Sequence, residues 1–199
     1  MKKTDLSQSA TLNTTYKKIQ SKESWASSFT TWQNFFGKKV VLTHICFDIL
    51  HSGHIEYLAK AKDLGYALIV AINSDASLKE FSKNNTPPLL NEYSRSMLLA
   101  SLHFVDGVVI FDEATPSDLI NFLKPNILVQ STNYDLNETN PKSEKYIPGL
   151  DKTRENGGEV IIIDLFEDIS SILTREEMKK NSLEFTEKKL TYSNVIAAV

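Results

Sequence analysis

Cysteine is nearly absent from this 199-residue chain: Cys46 stands alone, so no disulfide can form within it and a reducing compartment is expected. Glycine is also scarce, with seven residues at positions 37, 53, 65, 107, 149, 157 and 158. Neither G-x-G-x-x-G nor G-x-x-x-x-G-K-[ST] occurs, which excludes ordinary dinucleotide-binding dehydrogenases and P-loop enzymes. No apolar run approaches the ~20 residues of a membrane span, and the N-terminus lacks the apolar core of a signal peptide. A cytoplasmic location away from membranes follows as an expectation. A strong charge imbalance is missing too: the formal net charge is −3. That argues against a general nucleic-acid or membrane-surface binder, and any phosphate site must be local.

What is present fits one well-packed domain, with 41% apolar and 24% charged residues. Residues 1–20 are rich in Ser, Thr, Lys and Gln with little apolar periodicity, and are expected to form a loose arm. Residues 21–199 are expected to form a single domain. Within it, Trp25, Phe29, Trp32, Phe35 and Phe36 recur at helical spacing and predict a docked helix over 21–36, suited either to covering the core or to pairing two subunits.

From there strands and helices alternate. Strands are predicted over 38–45, 67–72, 107–111, 127–130 and 160–165, with helices over 54–64, 76–81 and 91–104 between them. In the helix over 91–104, Asn91 is a candidate cap and Met97, Leu98 and Leu102 are candidate core residues. Thr115 and Pro116 open a further helix, as cap and first helical residue, and Lys124-Pro125 closes it. A charged helix follows from about Ser171. Continuous β-branched strands separated by helices imply an α/β fold, a Rossmann-like, doubly wound parallel five-stranded sheet with the first strand near its centre.

His51-Ser52-Gly53-His54 falls where the first strand must turn into a helix. The unpaired N–H groups of a helix's first turn, with the positive end of its dipole, can hold a polyphosphate, and Gly53 lets the backbone come close. Two histidines three residues apart put both rings on one side of that turn. Four residues alone fit a zinc pair or two solvated histidines about as well. His103, ending an apolar helix, reads as structural, and Cys46, with no base beside it, as a small buried hydrophobe.

A longer pattern narrows the choice. Residues 40–54, then Tyr57-Leu58, Asn73-Ser74-Asp75, the 111–116 segment Phe-Asp-Glu-Ala-Thr-Pro, the 123–129 segment and Gly157-Gly158-Glu159-Val160 together resemble the cytidylyltransferase-like nucleotidyltransferases. The likeness runs over residues 35–173 and is greatest to the adenylyltransferases that make ADP-heptose from heptose 1-phosphate. Glycerol-phosphate cytidylyltransferase shares H-x-G-H but not the 111–116 or 157–160 segments. The resemblance implies transfer of a nucleotidyl group from ATP or CTP, with Mg2+, to a sugar phosphate, in a homodimer. It implies His51, His54 and Lys39 (or its neighbour Lys38) as catalytic residues. Thr43, Phe47, Asp48, Gly53, Asn73, Asp75, Arg95, Ser170 and Ser171 become the nucleotide-binding set, with Asp48 a candidate either to position magnesium or to cap its loop. No metal-ligand set belongs to the protein itself.

Four departures from the family pattern all lie in phosphate-facing loops. Ile45 replaces a glycine, Gln130 a lysine within Val-Lys-Gly-Gly-Asp-Tyr, Thr86 an arginine, and Ile172 a threonine. His44 stands where the pattern has asparagine; it either reaches the nucleotide or fills a pocket. Two readings follow: an active enzyme with an altered sugar-phosphate partner, or a catalytically weak paralogue that binds a nucleotide or a protein.

Overall fold

The computed structural model describes residues 9–45, 49–81 and 88–164. Five strands, β1 (Val40–His44), β2 (Ala67–Asn73), β3 (Gly107–Phe111), β4 (Ile127–Ser131) and β5 (Glu159–Ile163), form one parallel sheet in the order β3-β2-β1-β4-β5. The expected architecture is therefore present, with β1 in the middle. Residues 165–199, and with them the helix expected from Ser171, lie outside the described residues.

Side-chain alternation along β1 divides the core. Val41 and Ile45 pack with Tyr57, Leu58 and Ala61 of α3 (Ser52–Lys62) and with Leu99 and Ala100 of α5 (Glu92–Ser101). Val40 and Leu42 face the other way, toward Trp25 and Phe29 of α2 (Lys22–Thr30), Leu119 and Ile120 of α6 (Ser117–Leu123) and Leu150 of α7 (Leu150–Glu155). Between α3 and α5, α4 (Asp75–Phe81) follows β2.

Several expectations need correction. The loose arm is helical from its tenth residue: α1 (Ala10–Lys17) is capped by Ser9, and Ile19 bridges to Val108 along β3. Backbone bonds from Gln20 N to Val108 O (3.2 Å) and from Val108 N to Lys18 O (2.7 Å) cover what would be an open sheet edge. The aromatic helix stops at Thr30 and continues as a π turn over Thr31–Phe35. Its first half covers the core, where Trp25 Nε1 donates to Val108 O at 3.1 Å.

The expected core residues of α5 are wrong in part: Leu98 is exposed, whereas Arg95, Ser96, Leu99 and Ala100 are buried. The Asn91 side chain does cap that helix, accepting from Ser94 N at 2.8 Å. Thr115 is not the cap of α6, whose first helical residue is Ser117 and whose cap position is Pro116. Lys124 ends that helix in the left-handed region, φ 50°, before Pro125. Among the described residues no helix is long and apolar enough to cross a membrane.

Candidate active site

In open parallel sheets a ligand crevice forms beyond the carboxyl ends of the strands, where successive connections leave a central strand in opposite directions. Here that point lies between β1 and β4. The chain leaving β1 reaches the start of α3, with His51 in extended conformation (φ −134°, ψ 172°) as its cap residue. His51 N donates to His54 Nδ1 at 3.4 Å, and the two ring centroids are 3.8 Å apart. Because Nδ1 of His54 accepts that bond, its neutral ring carries the proton on Nε2.

Burial first, and the neighbouring His51 second, push the pKa of His54 down to about 4; burial also lowers that of His51. Both rings are neutral near pH 7. His51 Nδ1 is buried and has no hydrogen-bond partner among the described residues. Gly53 is buried in the same turn, so histidines, glycine and first-turn N–H groups come together as the spacing predicts.

Other expected residues serve the scaffold. The Thr43 hydroxyl donates to Val129 O at 3.0 Å and lies 2.7 Å from the Tyr57 hydroxyl. Since Thr43 has one proton to give, the Tyr57 O–H donates to Thr43, and the pair ties β1, β4 and α3 together. Burial raises the Tyr57 pKa, which keeps that donor protonated. Thr43 is fully buried in this role.

Arg95 is likewise 0% exposed and pairs with Asp75 at 2.7 Å, while its Nε donates to Leu90 O at 3.1 Å. Asp75 N in turn donates to Glu92 at 2.8 Å. The acidic and basic positions of the motif thus engage each other, and Arg95 Nη1 alone has no partner among the described residues.

Asn73, at the end of β2, meets His44 Nε2 through Oδ1 at 2.7 Å. Its Nδ2 donates to Ser77 Oγ at 2.9 Å, and Ser77 Oγ donates to Glu113 O at 3.0 Å. The His44 ring meets Phe111 edge-on at 5.3 Å. Burial lowers the His44 pKa, so this ring is neutral as well.

Lys39 does not belong to the crevice. It directly precedes β1, is exposed, and its carbonyl accepts from Tyr66 N at the opposite edge of the sheet. A five-residue strand spans about 16 Å, so Lys39 and Lys38 sit that far below the carboxyl ends. Lys38 instead places its ammonium 5.5 Å from the Tyr66 ring. Ile45 buries its side chain in the cluster of Tyr57 and Leu58. Phe47, Asp48, Ser170 and Ser171, with the departures at Thr86 and Ile172, lie outside the described residues.

Sequence reasoning missed the Thr43–Tyr57 link and the part played by Ser77. Tyr57 was visible as a motif residue, but its partner depends on the helix crossing over β1. Ser77 carried no signal of its own.

Known proteins resemble this chain in sequence and in fold. A family model described as cytidylyltransferase-like matches residues 44–177. The chain is 44% identical over 163 residues to the bifunctional protein HldE of Campylobacter jejuni subsp. doylei, covering 82% of this chain and 32% of that protein. It is 45% identical over 143 residues to the bifunctional protein HldE of Nitratiruptor sp., covering 72% of this chain and 28% of that protein. The chain therefore spans about a third of the length of these curated relatives. In fold alone it is similar to pantoate-beta-alanine ligase of Francisella tularensis, with TM-score 0.51, 17% identity, and coverage of 73% of this chain and 66% of that one. A parallel sheet ordered β3-β2-β1-β4-β5, an H-x-G-H turn at its switch point and this span of identity place the chain in the cytidylyltransferase-like family of nucleotidyltransferases.

Proposed function

We propose that the chain transfers the adenylyl group of ATP to a sugar phosphate such as heptose 1-phosphate. A phosphate oxygen of the sugar phosphate attacks the α-phosphorus, the bond to the bridging oxygen of the β-phosphate breaks, and pyrophosphate leaves. Such a step asks the protein for alignment and charge stabilisation, not for a covalent intermediate. The observation that carries this reading is the neutral His51–His54 pair at the start of a helix at the switch point. Neutral imidazole N–H groups and first-turn amides donate to phosphate oxygens, and the charge gathering on the leaving pyrophosphate strengthens those bonds in the transition state.

Magnesium travels with the triphosphate in this reading. The described residues offer no group of three His, Cys, Asp or Glu side chains that could hold the ion. A cytoplasmic homodimer also belongs to the reading: Phe35 and Phe36 are 80% and 63% exposed, apolar surface of the kind that assemblies cover.

A second reading, a catalytically weak nucleotide-binding paralogue, is favoured by Gln130, a buried uncharged residue where the family resemblance has lysine. Pyrophosphate release decides between them. The full chain is assayed with ATP or CTP against heptose 1-phosphate or glycerol 3-phosphate, beside a thermal-shift panel of the four nucleotides. Turnover with ATP and heptose 1-phosphate is expected; ATP stabilisation without turnover on any pair selects the paralogue, and preference for CTP with glycerol phosphate selects the cytidylyltransferase.

A further inference from the structure

The buried network at the end of β2 determines which nitrogen of His44 carries its proton. Ser77 Oγ gives its single hydrogen to Glu113 O, so toward Asn73 it can only accept, and the Asn73 atom facing it must be the amide nitrogen. The same nitrogen also lies 3.5 Å from Glu113 O, a group that cannot donate. Asn73 therefore presents Oδ1 to His44, and His44 Nε2 must be the N–H that reaches it at 2.7 Å. In a neutral ring Nδ1 is then a bare hydrogen-bond acceptor, and among the described residues nothing bonds to it. Phe111, edge-on to the ring, and the fixed Asn73 amide hold it in place.

The position of His44 says which ligand this acceptor meets. Thr43 turns toward Tyr57 of α3, whereas His44, next along β1, projects to the opposite face with Phe111. With pyrophosphate held at the start of α3, in-line displacement requires the attacking group to arrive from the other side of the α-phosphorus. Gln130, which is also uncharged, follows Val129 on β4, and Val129 is the residue paired with Thr43 at the end of the β1–β4 register. His44 Nδ1 and the uncharged Gln130 side chain thus offer hydrogen-bonding groups, which suit hydroxyls.

From this geometry we infer that His44 is a specificity-determining residue whose Nδ1 accepts a hydrogen bond from a hydroxyl of the sugar phosphate. The inference rests on the sugar-phosphate reading above. His44→Phe keeps an aromatic ring against Phe111 but removes both nitrogens. His44→Gln keeps a donor for Asn73 and an acceptor for the ligand.

In pyrophosphate-release kinetics, His44→Phe is expected to raise KM for heptose 1-phosphate about tenfold, the equivalent of one lost hydrogen bond, with KM for ATP within about twofold of the parent. His44→Gln should recover most of the loss. Equal rises in both KM values would mark a merely structural role, and an unchanged KM for heptose 1-phosphate would mark none; either overturns the inference. If the parent releases no pyrophosphate from this pair, the enzyme reading fails by itself. Isothermal titration of heptose 1-phosphate into the ATP-loaded protein then decides: binding that His44→Phe abolishes and His44→Gln keeps sustains the inference, and any other result, including no binding to the parent, overturns it.

Discussion

The ring of His54 lies 3.8 Å from that of His51, and this closeness adds to burial in holding His54 neutral down to a pKa of about 4. The ordinary value is 6.5, so as pH falls through 6.5 the unfolded chain takes up a proton that the folded chain refuses. Stability is therefore full above 6.5, falls between 6.5 and about 4, and levels off below, with a loss from this residue of about 3 kcal/mol. His44 and His51, also lowered, add to the fall in the same direction. Urea midpoints at several pH values test this for the parent and for His54→Asn, whose carbonyl can still accept from His51 N. The variant should show the shallower pH dependence; equal slopes would refute the assignment.

If the helix start is the triphosphate cradle, nucleotide binding depends on both rings. At a hundredfold excess over Kd, ATP stabilises a protein by about 2.7 kcal/mol. The double substitution His51→Ala with His54→Ala should lose most of that ATP-dependent rise in melting temperature. A double variant stabilised by ATP as strongly as the parent would remove the cradle from this turn.

Asp75 and Arg95 make a different prediction, because one is wholly buried and the other more than a third exposed. Asp75→Asn leaves a buried guanidinium without its countercharge. Full burial of both partners would make that cost about 3–5 kcal/mol, and the solvent at Asp75 reduces it to about 2 kcal/mol. Chemical denaturation should register this loss while the ATP-dependent stabilisation survives. Intact stability with ATP binding abolished would instead make the pair a ligand contact.

These cases show which features could be read from the residues alone. The sheet was legible because β1, β2 and β4 are apolar runs too short for helices, bounded by glycine, proline and polar turns. The H-x-G-H turn was legible because its spacing is local. Lys39 was misplaced because adjacency to a motif strand does not say at which end of the strand a residue sits. The buried face of α5 is not legible in the same way because two of its members, Arg95 and Ser96, are polar, Arg95 burying against Asp75 and Leu90 O and Ser96 bonding Tyr93 O of its own helix, while Leu98 is exposed. The first helix was invisible because it buries no residue of its own, and its composition is that of a loop.

The departures from the family pattern carry the last prediction, since Ile45 and Gln130 are not equivalent. Ile45 fills the cluster with Tyr57 and Leu58, so Ile45→Gly removes core volume and adds backbone freedom, at about 4 kcal/mol. Gln130 is 2% exposed near the carboxyl end of β4, one residue past the Val129 that pairs with Thr43. Gln130→Lys restores the positive charge that the family resemblance has at this position, and a charge-assisted contact of about 1.5–3 kcal/mol corresponds to roughly ten- to a hundredfold in rate. Pyrophosphate release with ATP and heptose 1-phosphate should therefore rise in Gln130→Lys, whereas Ile45→Gly should lower the urea midpoint without raising turnover. A gain of activity in Ile45→Gly at unchanged stability would mean that the isoleucine side chain obstructs the phosphates and does not support the core. No gain in Gln130→Lys would mean that the missing lysine is not what limits this chain.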